Sequence, residues 1–163
     1  MSEEYVKVLR YSLILLSRKR YTVHEMEGKL SKYVKKRDID EKVCDEVMGR
    51  LRELKYMDDL KFVKDYVDER MRLRPRGERL MRLELYKKGI KKLVIEKGIS
   101  EVDIDEEEMA RRVFESKSKK WGGLPGWKQK QRAFAYLFSK GFKRDAIYKV
   151  VESGYNQRVI RNP

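Results

Sequence analysis

Six arginines recur at every second or third position in the middle of this sequence. They are Arg70, Arg72, Arg74, Arg76, Arg79 and Arg82. A guanidinium group forms paired hydrogen bonds with a phosphate or a carboxylate, so the cluster predicts a site for nucleic acid or for an acidic protein surface. Lys87 and Lys88 extend this basic stretch. The alternative is a solvated helix face, because four acidic residues screen the arginines: Asp68, Glu69, Glu78 and Glu84.

A second candidate site combines basic side chains with two tryptophans. Trp121 and Trp127 lie in residues 116–127, SKSKKWGGLPGW, whose glycines and proline predict an irregular segment. The basic residues around them are Lys117, Lys119, Lys120, Lys128, Lys130 and Arg132. Such a mixture can hold backbone phosphates while bases stack on the rings. The alternative is that the tryptophans fill a core, which we expect of Trp127, while Trp121 is left open.

Other residue types with catalytic or metal-binding potential are few. Asp58 and Asp59 could bind a metal or act as an acid and base pair, but adjacent carboxylates at a predicted helix start favour capping. His24 is the single histidine, and Cys44 is the single cysteine and falls on an apolar helical stripe. A zinc site, a nucleophilic triad and a phosphate-binding loop are therefore not indicated. We expect a binding protein without cofactor or metal, not an enzyme.

The composition favours a basic helical protein. The net charge is +14, and residues 105–163 hold fourteen basic against seven acidic residues. Such a field attracts polyanions. The first residues are acidic, whereas a signal peptide begins with basic residues, and the apolar run Leu13 to Leu16 is too short to span a bilayer. We therefore expect a cytoplasmic protein without a membrane segment, and separately we expect a monomer.

Apolar residues at helical spacing place a helix at about residues 4–17, and Thr22 to Glu25 form a capping box for the next. Asp58 is the predicted N-cap of a central helix. Leu73 to Gly77 form the link that follows it, because Pro75 disfavours helical geometry at the residue before it. A later short helix is predicted to end at Gly98.

A repeated segment organises these helices. Leu85 to Ile90, LYKKGI, is echoed by Leu137 to Phe142, LFSKGF, and more weakly by Leu30 to Ile39, which lacks the glycine and is longer. The repeat predicts an all-α protein of three tandem three-helix units, each helix-turn-helix-like, in an elongated and curved array. The predicted units are residues 1–57, 58–104 and 105–153, and residues 154–163 are expected to form a frayed basic tail.

Residues 5–152 resemble the RecX family of regulatory proteins, most strongly in the middle unit. The match is carried by Tyr56-Met57-Asp58-Asp59, Phe62, Tyr66-Val67, and the arginine-rich link that leads into Arg79-Leu80 and Leu85 to Ile90. The Lys-Gly closure at Gly89 has its later counterpart at Gly141. The family pattern usually has glycine before proline in this link, whereas this chain has Pro75-Arg76-Gly77.

The resemblance implies a partner. RecX proteins bind the RecA recombinase and its nucleoprotein filament on DNA, and they restrain ATP hydrolysis, strand exchange and coprotease activity. By this resemblance we expect a negative modulator of recombination, DNA repair and the SOS response, with direct contact to single- or double-stranded DNA open. The alternative is a helix-turn-helix protein that binds duplex DNA without the recombinase, through one recognition helix.

Overall fold

The computed structural model describes residues 2–161, with side chains described for residues 2–156. Within these residues the structure contains nine α-helices, one short 3₁₀ turn and no strand. The predicted all-α class is confirmed. The helices are α1 (Glu3–Arg18), α2 (Val23–Lys35), α3 (Lys42–Glu53), α4 (Asp59–Leu73), α5 (Glu78–Lys87), α6 (Lys92–Ser100), α7 (Glu106–Ser118), α8 (Gly126–Ser139) and α9 (Arg144–Arg161), with the 3₁₀ turn at Lys119–Trp121.

Local signals place several helix ends correctly. The capping box at α2 is present in full, with the Thr22 hydroxyl accepting from the amide of Glu25 and the Glu25 carboxylate accepting from the amide of Thr22. The predicted link is confirmed, because α4 ends at Leu73 and α5 begins at Glu78. The capping box joins two residues three positions apart, so a short stretch of sequence contains both hydrogen-bonding partners.

Three predicted boundaries are wrong. Helix α6 passes through Gly98 to Ser100, because Gly98 is buried against Val63 and serves close helix packing instead of a helix end. Residues 116–127 are mostly ordered into the end of α7, the 3₁₀ turn and the start of α8. The expected tail continues α9 to Arg161, and the Tyr155 ring is buried with its edge against Phe114, while residues 162 and 163 lie outside the described part of the chain.

The described chain divides into two compact units. One holds the residues up to Asp65 together with Leu85–Glu101, and the other holds Tyr66–Glu84 together with the residues from Val102 onwards. The boundary passes through α4 and α5, so the compact units do not follow the three predicted repeats.

In the first unit, helices α1, α2 and α3 pack on one another around a continuous core. Its innermost side chains are fully enclosed and come from all three helices: Val8, Met26, Leu30, Val34, Val47 and Leu51. Cys44 is also buried and free, as its position on an apolar stripe predicts. Burial of these apolar side chains stabilises the unit, because it removes them from water.

In the second unit, α7 packs on both α8 and α9. The enclosed side chains are Ala110, Ala133, Leu137, Phe142, Ile147 and Val150, and Val67 and Met81 from the middle of the chain are also fully buried. The core positions of α8 are Ala133 and Leu137, whereas Phe138 points partly outwards.

The Lys-Gly signature closes α5 and α8 in the same way. Gly89 and Gly141 have φ angles of +80° and +88°, which side chains rarely tolerate. In both cases the amide of the next residue donates to the carbonyl five residues before it, which forms a Schellman cap: Ile90 to Leu85 and Phe142 to Leu137.

The first repeat has the same closure with a different residue. Asp38 has a φ angle of +56°, and the amide of Ile39 donates to the carbonyl of Val34 at 3.1 Å. The matching segment is therefore Val34 to Ile39, of equal length to the others, instead of the longer stretch from Leu30 that the sequence suggests. Asp38 takes the place of glycine because a short polar side chain tolerates the left-handed conformation better than most.

Each glycine also permits a close helix junction inside its own unit. A Cβ atom on Gly89 would collide with His24 at the start of α2, and one on Gly141 would collide with Leu80 at the start of α5. The C-terminal end of one middle helix thus abuts the N-terminal end of the middle helix of the preceding repeat. Opposite ends of helix dipoles meet in this arrangement, which is favourable.

Paired acidic residues connect the repeats at the same junctions. Asp58 accepts from the amide of Lys61 and caps α4, while Asp59 accepts from the amide of Val23 at 2.9 Å and so caps α2. In the second unit, Asp105 caps α7 through the amide of Glu108.

Glu106 is the counterpart of Asp59. It is buried and accepts from the amide of Glu78 at 2.6 Å and from the amide of Lys143 at 2.9 Å. The second acid of each pair therefore satisfies a helix start outside its own helix, a role that the sequence analysis did not foresee.

Candidate partner-binding surfaces

The arginine-rich link is largely engaged within the fold. Arg70 and Arg76 both form ion pairs with Glu84, and the Tyr66 hydroxyl also donates to this carboxylate. The Arg70 guanidinium lies 4.7 Å from the centre of the Tyr66 ring, and the Arg70 and Glu84 side chains are only 19% and 22% exposed. These charges therefore join α4, the link and α5 and are poorly available to a partner.

Two more arginines are committed to neighbouring groups. Arg82 forms an ion pair with Glu78 at 2.8 Å, and Lys143 binds the same carboxylate at 2.9 Å. Partial burial raises the pKa of Glu78, but the hydrogen bonds from Lys143 and Arg82 outweigh it, so the pKa lies below its ordinary value. Arg79 donates to the carbonyl of Phe138 at 2.6 Å and lies over its ring.

The two remaining arginines of the six-arginine cluster are exposed. Arg72 is 68% exposed and forms an ion pair with Asp68 at 3.4 Å, one turn earlier on α4. Arg74 is exposed in the link itself and has no ion pair or side-chain hydrogen bond within the described residues. Surface pairs of the Arg72 kind are weak, so this end of the link keeps available positive charge.

The two lysines that extend the basic stretch differ in their contacts. Lys88 forms an ion pair with Glu25 at 3.0 Å, and its carbonyl accepts from the Thr22 hydroxyl. Burial raises the pKa of Glu25, but hydrogen bonds from Thr22 and Lys88 bring it below the ordinary value. Lys87 is exposed.

The two tryptophans have unequal environments. Trp127 is 64% exposed at the start of α8, so the expectation that it fills a core is wrong. The buried residues of α8 are Ala133 and Leu137. At roughly 100° of rotation per residue, Trp127 lies about 120° around the helix from Ala133, so its side chain is off the core-facing side. Trp121 is half-buried with its ring edge against Tyr136, at a centroid distance of 5.9 Å.

The basic residues near the tryptophans are mostly accessible. Lys119, Lys120, Lys128 and Arg132 are exposed, and Lys117 is half-buried. Lys128 lies 5.3 Å from the Trp127 ring, while Lys130 forms an ion pair with Glu152. The structure thus brings one lysine onto an exposed indole face, the arrangement that a cation–π contact requires.

Three residues of the central sequence motif, Tyr56, Phe62 and Asp59, differ in their surroundings. Tyr56 is exposed, and Phe62 is half-buried with the Lys88 ammonium 5.7 Å from its ring. Burial, the largest influence, raises the pKa of Asp59. No cluster of metal-ligating side chains is found within the described residues.

A basic groove on the first unit was missed by the sequence analysis. It lies along α1 and α2 and is lined by Lys7, Arg10, Tyr11, Ile14, Lys29, Lys32, Tyr33, Lys36 and Arg37. Along α1, and along α2 with the turn residues Lys36 and Arg37 that follow it, the lining residues recur every three or four positions, so each series lies on one face. This periodicity of basic residues around a tyrosine was the available signal, but only the packing of α1 on α2 unites the two faces.

Comparison with protein families identifies the repeats. Residues 58–99 match the model described as "RecX, second three-helix domain", and residues 105–151 match "RecX, third three-helix domain". Together these matches cover more than half of the chain. The chain belongs to the RecX family.

Individual RecX proteins are similar over nearly the whole chain. "Regulatory protein RecX" of Geobacillus sp. (strain WCH70) is 30% identical over 159 residues, covering 96% of this chain and 57% of that protein. "Regulatory protein RecX" of Haemophilus influenzae (strain PittEE) is 28% identical over 148 residues, covering 90% of this chain and 93% of that protein. The chain therefore spans little more than half the length of some relatives and nearly all of another.

A solved RecX structure has the same fold. The crystal structure of RecX from Lactobacillus salivarius superposes with a TM-score of 0.80 at 22% identity, covering 94% of this chain and 97% of that chain. The relatives carry the name of a regulatory protein and not of an enzyme. Among the described residues of this family member, no helix combines the length and apolar character needed to cross a membrane.

Proposed function

We propose that this protein binds the RecA recombinase and its nucleoprotein filament and lowers their ATPase, strand-exchange and coprotease activities. The observation that carries the proposal is the match of two successive parts of the chain to RecX three-helix domains. The relatives named as regulatory proteins support a role in regulation, and RecA follows from the resemblance of the central motif to the RecX family.

The basic residues of the arginine-rich stretch and of the tryptophan segment that remain accessible are the proposed contacts with the filament. They are Arg72, Arg74, Lys87, Lys119, Lys120, Lys128 and Arg132. Arg70, Arg76, Arg82 and Lys88 are engaged with carboxylates of the fold and have a structural role in this proposal.

A physical basis for inhibition follows from multivalent contact. Positive side chains attract the exposed phosphates and acidic surfaces of a nucleoprotein filament. A ligand that prefers one arrangement of neighbouring protomers shifts the filament towards it, and thereby opposes rearrangements that accompany ATP hydrolysis and growth. The elongated, curved shape expected of the repeat array stays a prediction.

The test is ATP turnover by RecA on single-stranded DNA, with this protein titrated from well below one copy per recombinase protomer. We expect inhibition at these low ratios, and little relief when excess free duplex DNA is added. An unrelated folded protein of similar size and net charge is the matched control, because it separates specific binding from electrostatic sequestration of DNA.

The result that contradicts the proposal is unchanged turnover across the titration. Salt-sensitive binding to bare duplex DNA in the same preparation would then favour the helix-turn-helix alternative. Inhibition that the control protein reproduces, or that excess duplex DNA abolishes, would also reject direct binding to the filament.

A further inference from the structure

The groove along α1 and α2 has a uniform charge. It has a volume of about 630 Å³, and six of its nine lining residues are basic, while none is acidic. One lining residue, Lys7, forms an ion pair with Glu3, which lies outside the lining. Another groove of the same unit, by contrast, includes Asp58 and Asp65 in its lining. Of these two grooves, the α1–α2 groove is the one whose lining carries positive charge without a carboxylate.

An aromatic stack occupies this groove. The rings of Tyr11 and Tyr33 are stacked at a centroid distance of 4.1 Å with an interplanar angle of 18°. The Arg37 guanidinium lies 3.8 Å from the Tyr33 centroid. Since Tyr11 occupies one face of Tyr33, Arg37 must cover the opposite face. A guanidinium plane and a tyrosine ring are both surfaces on which an unpaired base can stack.

We propose that the α1–α2 groove binds single-stranded nucleic acid, with phosphates on its lysines and arginines and a base on an outer end of the Tyr11–Tyr33–Arg37 stack, formed by Tyr11 or Arg37. A helix rises about 1.5 Å per residue, so the basic stripe from Lys29 to Lys36 is about 10 Å long. This length accommodates roughly three nucleotides at the rise of a stacked strand.

A single strand fits these features better than an acidic peptide or a duplex. An acidic peptide explains the charge but not the stacked rings beneath a guanidinium. A duplex has its base faces covered by neighbouring pairs, so it can use only the phosphate contacts. The proposal does not depend on the recombinase and is tested without it.

The experiment measures binding of fluorescent oligothymidine to the whole chain by fluorescence anisotropy over a range of salt concentrations. We expect Arg10→Glu with Lys32→Glu to weaken binding at least tenfold and to reduce the magnitude of the log–log salt slope by about 1.4, since each lost contact on a single strand contributes about 0.7. Both residues are exposed, so the variant is expected to fold.

The matched control reverses two exposed lysines of the same unit outside the groove, Lys42→Glu with Lys92→Glu. It carries the same change in net charge, and we expect its affinity to stay within threefold of the original protein. Equal losses in the two variants would mean that only the overall charge matters, and would overturn the proposal.

The stacking part of the proposal has its own readout. We expect oligothymidine to bind about five- to a hundredfold more tightly than an abasic strand of equal length, and Tyr33→Leu to reduce that difference. Photocrosslinking with a 5-iodouracil strand should label Tyr11 and not Tyr33, because both faces of the Tyr33 ring are covered. Circular dichroism verifies that each variant remains helical.

Several outcomes would overturn the inference. They are equal affinity for the base-containing and abasic strands, crosslinks confined to Trp127, equal affinity for a duplex, or competition by polyglutamate that matches competition by an oligothymidine of equal charge. Loss of this strand binding would leave inhibition of the recombinase untouched as a separate result, so the two proposals can fail independently.

Discussion

The arginine-rich link and the α1–α2 groove are both basic, but they use their charge in opposite ways. In the link, Glu84 is contacted by Arg70, Arg76 and Tyr66, and Glu78 is contacted by Arg82. In the groove, six basic residues face one another without a lining carboxylate. The denser cluster in the sequence is therefore the one with less positive charge left for a partner.

This difference shows that the number of basic residues in a segment is a poor measure of its availability. Charged groups in a partly buried position require counterions, and the fold supplies them from neighbouring helices. The groove keeps its charges near the surface, where solvent screens their mutual repulsion and no internal partner is needed.

The largest expected effect is loss of stability when the counterion of the link is removed. Glu84→Gln leaves Arg70 and Arg76 without a carboxylate in a partly buried site, and we expect the free energy of unfolding to fall by about 2 kcal/mol. Urea denaturation followed by circular dichroism measures this change. Asp68→Asn is the control, because it removes only an exposed partner of Arg72, and we expect a loss below about 0.5 kcal/mol. Similar losses in both variants would contradict a structural role for the buried cluster.

A functional separation of the two regions is the next effect in size. We expect Arg72→Glu with Arg74→Glu to raise the concentration for half-inhibition of the recombinase about tenfold, because the introduced carboxylates would be repelled by the phosphates and acidic surfaces of the filament. Its affinity for a free oligothymidine should change little. The groove variant Arg10→Glu with Lys32→Glu carries the same charge change and should show the reverse pattern. If only the groove variant lost inhibition, the groove and not the link would be the filament contact.

A smaller effect concerns the pH dependence of stability at the link. The pKa of Glu78 in the folded protein lies below its ordinary value of 4.5. The ionised carboxylate therefore adds to the free energy of unfolding above pH 4.5, and this addition is lost as the pH falls through the folded pKa. We expect Glu78→Gln to be less stable than the original protein at pH 7, with the two curves converging in acid. Urea denaturation between pH 7 and pH 3 measures them. The exposed Glu115→Gln variant should follow the original curve, and curves that stay parallel for Glu78→Gln would refute the ion-pair contribution.

The smallest expected effect is on the stability of the groove variant itself. Arg10 and Lys32 are exposed and their neighbours in the groove are also positive, so their reversal should change the free energy of unfolding by no more than about 0.5 kcal/mol. Thermal and urea denaturation measure this change. A loss comparable to that of Glu84→Gln would show that the groove charges stabilise the fold, and the contrast between the two regions would disappear.

Much of the fold was predictable because its signals are short. The Thr22 capping box, the Asp58 N-cap and the link before Glu78 each depend on a few consecutive residues. The same locality explains the failures: Gly98 resembles a helix stop, yet its lack of a side chain serves a contact with Val63 that lies far away in the sequence.

The candidate sites were less predictable than the helices. The sequence indicated the arginines and tryptophans as residue types suited to phosphates and bases. It could not show that Trp127 is exposed, or that Arg70 and Arg76 share Glu84. Exposure and ion pairing depend on which helix faces meet, and composition contains no information about that.

By itself the sequence determined the helices, their local caps, the Lys-Gly closures at Gly89 and Gly141 and the resemblance to the RecX family. Only the tertiary structure decided that Asp59 and Glu106 cap helices of other segments, and that Tyr11 and Tyr33 stack in a basic groove. The physical reason is range. A cap or a turn is formed by residues within five positions of each other, whereas these contacts join residues more than twenty positions apart and exist only after the helices have packed.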